Sequence, residues 1–571
     1  MSSRYLVKTT STLIVLLALL SPAAPASAEP WKFGVMGDSQ WTTADPAKAN
    51  PYTVPVAIIN QVNQEFIKSG VKFVIAVGDL SDDGNDISEV TRAKAAQPLI
   101  DAGIGFFPFR GNHETVGLNN GYGLSVFRSN YPQTRTGTFT KTDHQHYQVG
   151  SGFSSPVSVS TELNGMSYSF DYGDPESRAR FVIVDTWATP GKVDKNPNRY
   201  AYGYTVNDQQ AWISSRLDKQ TRKTAQAFVF SHQPLIAEGH QDTMFSGYTN
   251  SNPDWQNRFF ASMQDNGVKF FISGHDHIHQ RSIIASPDGK SHIEEIICAS
   301  NSSKFYTPKP LDDPKWFNQK TRETSIAQER YTVGYYIYTV DGPCVTVDYY
   351  SDDHGNWKSD ADYPDGAGKA DTAVAPTFHF VKKESWSYSK NGREFLIPQA
   401  ASYTKVSDRY KGTTARILDG TNNSTERDGT LDTKGGVGRK LTKTVDTGWH
   451  EKPAPVQSKN DTYLASNILY LTGMGDLGKE QTDVYTLSIS YQADKVHPKH
   501  FKEGHVALAT NEADGNWVNA VDINSGGTKT FVAGPWKKGY ALGTYGVDQR
   551  TKTVWAVINH NGNFAAASFN K

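Results

Sequence analysis

From Trp31 to about Gln280, short apolar runs alternate with longer stretches whose apolar residues recur at helical spacing. Trp31–Gly37 (WKFGVMG) reads as a buried strand, and Val71–Val77 (VKFVIAV) as a second. Between them Val54, Ile58, Ile59, Val62 and Phe66 fall on one helical face. The cycle repeats: a helix over Glu89–Ala102 leads to a strand at Ile104–Phe109, one over Asn207–Lys219 to Ala225–Phe230, and one over Asp254–Asn266 to Val268–Ile272. Such alternation predicts a layered α/β domain. Residues 115–180 interrupt it with Gly, Ser, Asn and Thr and read as an insertion that shapes a rim rather than the core.

The pattern changes near residues 362–377 (DYPDGAGKADTAVAPT), where small residues and prolines without periodicity read as a linker. Beyond it the period is two: Tyr485, Leu487, Ile489 and Tyr491 share one strand face, as do Val554, Ala556 and Ile558. Turn signals recur between such runs, at Asp514-Gly515, Gly526-Gly527 and Asn561-Gly562. Residues 378–571 are therefore predicted to form an all-β sandwich, after an α/β domain over 29–361.

Composition narrows the class. A chain of 571 residues is too long for one ordinary core, and 37% hydrophobic with 20% charged residues excludes a disordered or fibrous chain. The net charge of −1 gives no global basic field for nucleic acid or an anionic membrane. Cys298 and Cys344 are too few for a disulfide scaffold, though one bridge is open. At the N-terminus Arg4 and Lys8 precede the apolar run Leu13–Leu20, and Ala26-Ser27-Ala28 supplies a small-x-small pattern. These are the parts of a secretory signal peptide cleaved after Ala28, and the run falls well short of the roughly 18 residues a spanning helix needs. A secreted or periplasmic product with no membrane span after cleavage is expected.

Five apolar runs or their continuations stop at polar groups able to hold a metal. They are Gly37–Gln40 (GDSQ), Gly78–Asp82 (GDLSD), Gly111–Glu114 (GNHE), Ser231–Pro234 (SHQP) and Gly274–His277 (GHDH). In an open α/β sheet ligands collect beyond the carboxyl ends of the strands, so these distant segments can converge. Each motif alone is weak; five in one chain imply a metal site. With those residues in view, 31–350 resembles the calcineurin-like metallophosphoesterase superfamily. Its blocks are Asp-x-His, Gly-Asp-x-x-Asp, Gly-Asn-His-Glu or Asp, a lone His, and Gly-His-x-His.

The resemblance implies a β-sandwich core flanked by helices and two metal ions. One would take Asp38, Gln40, Asp79 and His277, and the other Asp79, Asn112, His232 and His275, with Asp79 bridging. His113 would stay off the metals as the catalytic imidazole. Carboxylate, amide and imidazole donors together suit divalent or trivalent Mn, Fe or Zn rather than Ca. Gln40 departs from the usual histidine, and its amide oxygen tilts that position towards harder ions such as Mn or Mg. The implied activity is hydrolysis of a phosphomonoester or phosphodiester, including nucleotides, by metal-activated hydroxide.

Other residues read as supporting. Asp82 and Glu114 are expected to orient loops or ligand histidines, Asp185 to be structural, and His279 to be a strand-end surface residue. Asn301, Asn423 and Asn460 stand in glycosylation sequons. Trp386, Tyr388, Trp449, Trp517, Trp536 and Trp555 either pack a sandwich or line a sugar-binding face, with packing favoured. An extracellular protein that binds a glycan or surface through the second domain, on a vestigial phosphoesterase fold, is the alternative.

Overall fold

The computed structural model describes residues 29–42, 50–115, 122–136, 152–187, 205–240, 242–245, 252–308, 321–352, 368–369, 377–389, 395–397, 413–419, 424–427, 447–450, 462–471, 484–511, 516–560 and 562–569, apart from 162, 176 and 343. The expected signal peptide and most of the expected linker lie outside these residues. Among the described residues no helix is long and apolar enough to cross a membrane.

The strands of the first domain are, in chain order, β1 (Trp31–Met36), β2 (Phe73–Ala76), β3 (Gly105–Pro108), β4 (Val157–Ser158), β5 (Tyr168–Tyr172) and β6 (Ala179–Ile183). They continue with β7 (Gln226–Phe230), β8 (Phe270–Ser273), β9 (His279–Ala285), β10 (His292–Ile297), β11 (Lys304–Phe305) and β12 (Glu323–Glu329). The last are β13 (Gly334–Asp341), β14 (Cys344–Asp352), β15 (Gly368–Lys369) and β16 (Phe380–Ser389). The helices are α1 (Val56–Ser69), α2 (Asp86–Ala95), α3 (Gln97–Asp101), α4 (Tyr122–Asn130), α5 (Val206–Leu217) and α6 (Pro253–Gln264).

Two sheets pack face to face. One runs β16-β14-β13-β1-β2-β3 with the strand Ser424–Arg427 outside β16, and the other β12-β9-β10-β8-β7-β6-β5-β4. Between them lies an aromatic core in which Phe33 stacks on Phe73 at 5.3 Å and meets Phe181 and Phe228 edge-on. The outer face of the first sheet is covered by Ile58, Ile59, Val62 and Phe66 of α1, and that of the second by Ile213 and Leu217 of α5 and Phe259 and Phe260 of α6. The result is a helix, sheet, sheet, helix stack, as the alternating pattern requires.

Local chemistry sets the boundaries. α1 stops at Gly70, whose φ of 67° suits a residue without Cβ. α5 opens on a capping box between Thr205 and Asp208. The single helix expected over Glu89–Ala102 is instead α2 and α3, because Pro98 in a continuous helix would clash with the carbonyl four residues back.

Three other expectations are corrected. The segment 115–180 is not only rim: β5 sits inside the second sheet, with Tyr168 and Phe170 in the central core. The second domain does not take everything after 378, since β16 pairs with β14 from Cys344↔Ser389 to Asp352↔Phe380. Part of the expected linker is itself paired, β15 with β11.

The C-terminal region forms two six-stranded sheets around Leu487, Ile489, Leu508, Val554 and Ile558. Trp517 and Trp555 are buried there, and Trp386 lies in the core of the first domain, so these three pack rather than line a sugar face. Cys298 is a buried free thiol. Asn301 is also buried, bridging the Gly37 amide and the Gly334 carbonyl, and is no glycosylation acceptor in the folded chain. Asn423 and Asn460 lie outside the described residues.

Candidate metal centre

The chain leaves β1, β2, β3, β7 and β8 at one end of the sandwich and there presents Asp38, Asp79, Asn112, His232 and the pair His275 and His277. The turns are tight. Asp79, His275 and His277 hold positive φ of 45°, 76° and 53°, unusual for residues with side chains and a form of strain that collects at functional sites. Two glycines make room for carboxylates: a Cβ on Gly111 would lie 2.0 Å from Asp79 Oδ1, and one on Gly274 2.6 Å from Asp38 Oδ2.

All seven expected ligands are brought together and all are buried. Ligand atoms of Asp79, His232 and His275 lie within 4.8 Å of one another, as do those of Asp38, Asp79 and His277, so Asp79 belongs to both groups. Each imidazole is fixed by its other nitrogen. His232 Nδ1 faces the Val77 carbonyl at 2.8 Å and His277 Nδ1 the Lys304 carbonyl at 2.7 Å; a carbonyl only accepts, so both Nδ1 atoms carry protons and Nε2 turns inward. His275 Nε2 donates to Asp242 at 3.1 Å, which leaves Nδ1 to face His232 Nε2 at 3.2 Å. Such outer partners select the tautomer and orient a metal-binding ring.

The centre holds more lone pairs than protons. Asn112 Oδ1 faces His232 Nε2 at 3.1 Å among acceptors only, an arrangement relieved by turning the amide over or by a cation. Asp38 Oδ2 and Gln40 Oε1 are buried without a hydrogen-bond partner among the described residues. Gln40 presents Nε2 rather than its oxygen to His277 Nε2, at 2.9 Å, so ligation through oxygen needs the amide to turn. This donor set, orphaned oxygens included, fits divalent or trivalent cations.

Without a cation, burial raises the Asp38 carboxyl to about 7. Burial also acts on Asp79, but His232 and His113 outweigh it and hold that carboxyl well below its ordinary value. Burial opposes charge on His232, yet Asp79 and Asp38 raise it to about 10. Burial and Lys304 keep His277 well below its ordinary value, and so neutral. A proton on His232 thus stands where positive charge is demanded, and a cation would displace it.

His113 stands beside this cluster. Its amide donates to Asp79 Oδ1 at 3.0 Å, and its ring Nδ1 donates to the Asp82 carbonyl at 2.7 Å, leaving Nε2 of this partly exposed ring without a hydrogen bond among the described residues. Glu114 fastens the loops from behind, accepting from the amides of Leu80, Ser81 and Gly111. Burial, with Glu89 and Asp79 nearby, holds its carboxyl well above the ordinary value. Asp185 forms a buried two-point ion pair with Arg110.

His279 is not the expected surface residue. It is fully buried, bonded to Tyr336 Oη and Glu384 Oε2 and stacked on Tyr349 at 3.9 Å. Sequence reasoning missed Asp242, His240 and Tyr306. His240 donates from Nδ1 to Asp276 and stacks on His275 at 3.9 Å, and Tyr306 edges against His240 and His277. None of the three stands in a motif; His240, eight residues after His232 in the same loop, offered the one available signal.

Residues 32–279 match the family model described as calcineurin-like phosphoesterase. No curated protein matches the chain. Solved structures of similar shape include PhoD (TM-score 0.38, 13% identity, 65% of this chain and 71% of that one). Another is the purple acid phosphatase PPD1 from yellow lupin seeds (0.37, 14%, 62% and 57%). A third is GAP50, the anchor in the inner membrane complex of Plasmodium (0.34, 15%, 56% and 84%).

Proposed function

We propose that this chain, whose residues 32–279 match the calcineurin-like phosphoesterase model, is a metal-dependent phosphoric ester hydrolase, secreted or periplasmic, with a two-cation centre acting on small phosphate esters or nucleotides. The observation that carries the reading is the fixed orientation of His232, His275 and His277, whose inward-facing nitrogens converge with the carboxylates of Asp38 and Asp79. Asp38, Gln40, Asp79 and His277 would hold one cation; Asp79, Asn112, His232 and His275 would hold the other.

Bound there, two cations would polarise a phosphoryl oxygen, lower the pKa of an attacking water and offset charge developing in the transition state. The protein supplies the rest. Asp79, shared between both groups, would offset repulsion between the cations. The Asp82 carbonyl fixes His113 Nδ1 as a donor, so the imidazolium form of His113 is the acid: its Nε2 gives a proton to the departing alkoxide as the bond from phosphorus to the leaving oxygen breaks, leaving the neutral Nδ1–H ring. Glu114 holds the loops that carry Asp79 and Asn112 in register.

The test is metal content and turnover in wild type and Asp79→Asn, with a phosphomonoester and a phosphodiester as substrates. About two ions per wild-type chain, chelator-sensitive turnover and loss of both in the variant are expected. Two ions retained in Asp79→Asn would sink the shared-carboxylate assignment. Export is tested separately: the mature N-terminus is expected at Glu29, and an exported form still beginning at Met1 would refute cleavage.

A further inference from the structure

The C-terminal region carries a second group of imidazoles that the reaction does not use. His497 precedes the 3-10 turn Pro498–Phe501, and such a turn eclipses residues three apart. His497 and His500 accordingly lie on one side with ring centres 5.5 Å apart. The chain reverses at Gly504 (φ 73°), and the His505 amide donates to the His500 carbonyl at 3.1 Å. This brings the His505 ring to 5.9 Å from that of His500. Two imidazoles that share a tetrahedral ion at about 2.0–2.1 Å per nitrogen have ring centres about 5 Å apart, so both spacings lie within a small side-chain rotation of joint ligation.

His500 is already oriented. Its Nδ1 meets Ser568 Oγ at 2.8 Å; with the hydroxyl as acceptor, Nδ1 carries the proton and Nε2 keeps its lone pair for an ion, in the manner of a ligand ring fixed from behind. Burial, with His497 and His505 close by, lowers its pKa and favours the neutral ring that ligation needs. Glu503 adds a carboxylate 3.8 Å from His505 Nε2. His497 and Glu503 are exposed and the other two rings half-exposed, so rotation requires no repacking, only release of the long contact at 3.4 Å in which His497 Nδ1 accepts from the Lys499 amide. Among the described residues only the two buried groups converge to within 4.8 Å beforehand; here the ion itself would complete the convergence, and binding is expected to be weaker.

We propose that His497, His500 and His505, with Glu503, form a surface site for a borderline transition ion such as Zn(II), Cu(II) or Ni(II), fastening the 498–501 turn to the strand Gly562–Phe569. Ca and Mg, which take oxygen shells, are disfavoured.

The test uses the full chain dialysed against buffered zinc, with metal per chain measured for wild type, His500→Ala and the double variant His497→Ala, His505→Ala. Each variant is expected to bind one zinc fewer than wild type and to lose the zinc-dependent rise in Tm, while turnover is unchanged. The readout is a difference from wild type and does not depend on how many ions the buried centre takes. Equal zinc content in the three proteins overturns the proposal. A loss confined to His500→Ala also overturns it, because only the Ser568 contact would then have mattered.

Discussion

Asp242 offers a quantitative test of the metal centre because it acts on one cation position and touches no other expected ligand. Its carboxylate accepts from His275 Nε2 at 3.1 Å and from Gln233 Nε2 at 3.0 Å. Burial opposes its charge, but His275 and His240 outweigh that and hold it below the usual carboxylate range. A hydrogen bond to a charged group is worth about 1.5–3 kcal/mol and a neutral one about half that. The Asp242 side chain is 24% exposed, which places it towards the lower end.

Asp242→Ala removes the bond and frees the His275 ring to rotate or change tautomer; a loss of roughly 10- to 100-fold in affinity for one ion is expected, the usual cost of losing such a partner. Asp242→Asn keeps an acceptor oxygen without the charge, so the loss is expected to be smaller, roughly 3- to 10-fold. Titration against a competing chelator resolves the two ions, and only the step assigned to His232, His275 and Asn112 is expected to move. Turnover should fall at limiting metal and recover at saturating metal. Wild-type affinity in both variants, or an equal shift in both steps, would refute the assignment of Asp242 to His275.

His113→Ala is expected to keep its metal and lose about 100- to 10,000-fold in turnover, most on esters of high-pKa alcohols; equal losses across leaving groups would show that Nε2 does not protonate the departing oxygen. Glu384 ties β16 to the second sheet through Arg281 and His279, so Glu384→Ala leaves the buried Arg281 with Glu294 as its remaining carboxylate among the described residues and is expected to cost about 3 kcal/mol, the lower end for breaking a buried ion pair, read as a fall in unfolding free energy. Burial opposes charge on Glu384, but Arg281 and His279 lower its pKa from 4.5 to about 2. A depressed carboxyl contributes stability above its unfolded value, so that share is present above about pH 4.5 and lost as pH falls towards 2. In Glu384→Gln the acid loss over this window should flatten, and an unchanged slope in denaturation against pH would exclude Glu384 as its source. A chain ending near residue 370 lacks β16 and is expected to be insoluble or strongly destabilised, because it uncovers the β14 edge and takes Glu384 from Arg281 and His279; a soluble, active product would show that β16 is dispensable.

The sequence by itself determined the alternation of strands and helices to Gln280, the period-two strands near the C-terminus, and the order of the metal-ligand motifs. These features are local: apolar periodicity selects the element, and a strand that stops at Gly-Asp or Gly-Asn-His carries its ligand wherever the sheet forms. Tertiary structure decided which partners those elements met. β16 has the same strand pattern whichever sheet receives it, and its register on β14 placed it in the first domain, where Trp386 became core. His279 lies two residues beyond a ligand on a strand; only the packing of the two sheets buried it against Tyr336, Tyr349 and Glu384. Asp242 carries no motif, and its role exists because the loop after β7 folds back onto His275. Spacing along the chain fixes which way a side chain points within its own element, whereas a hydrogen bond between residues 33 or 105 positions apart depends on where two elements come to rest.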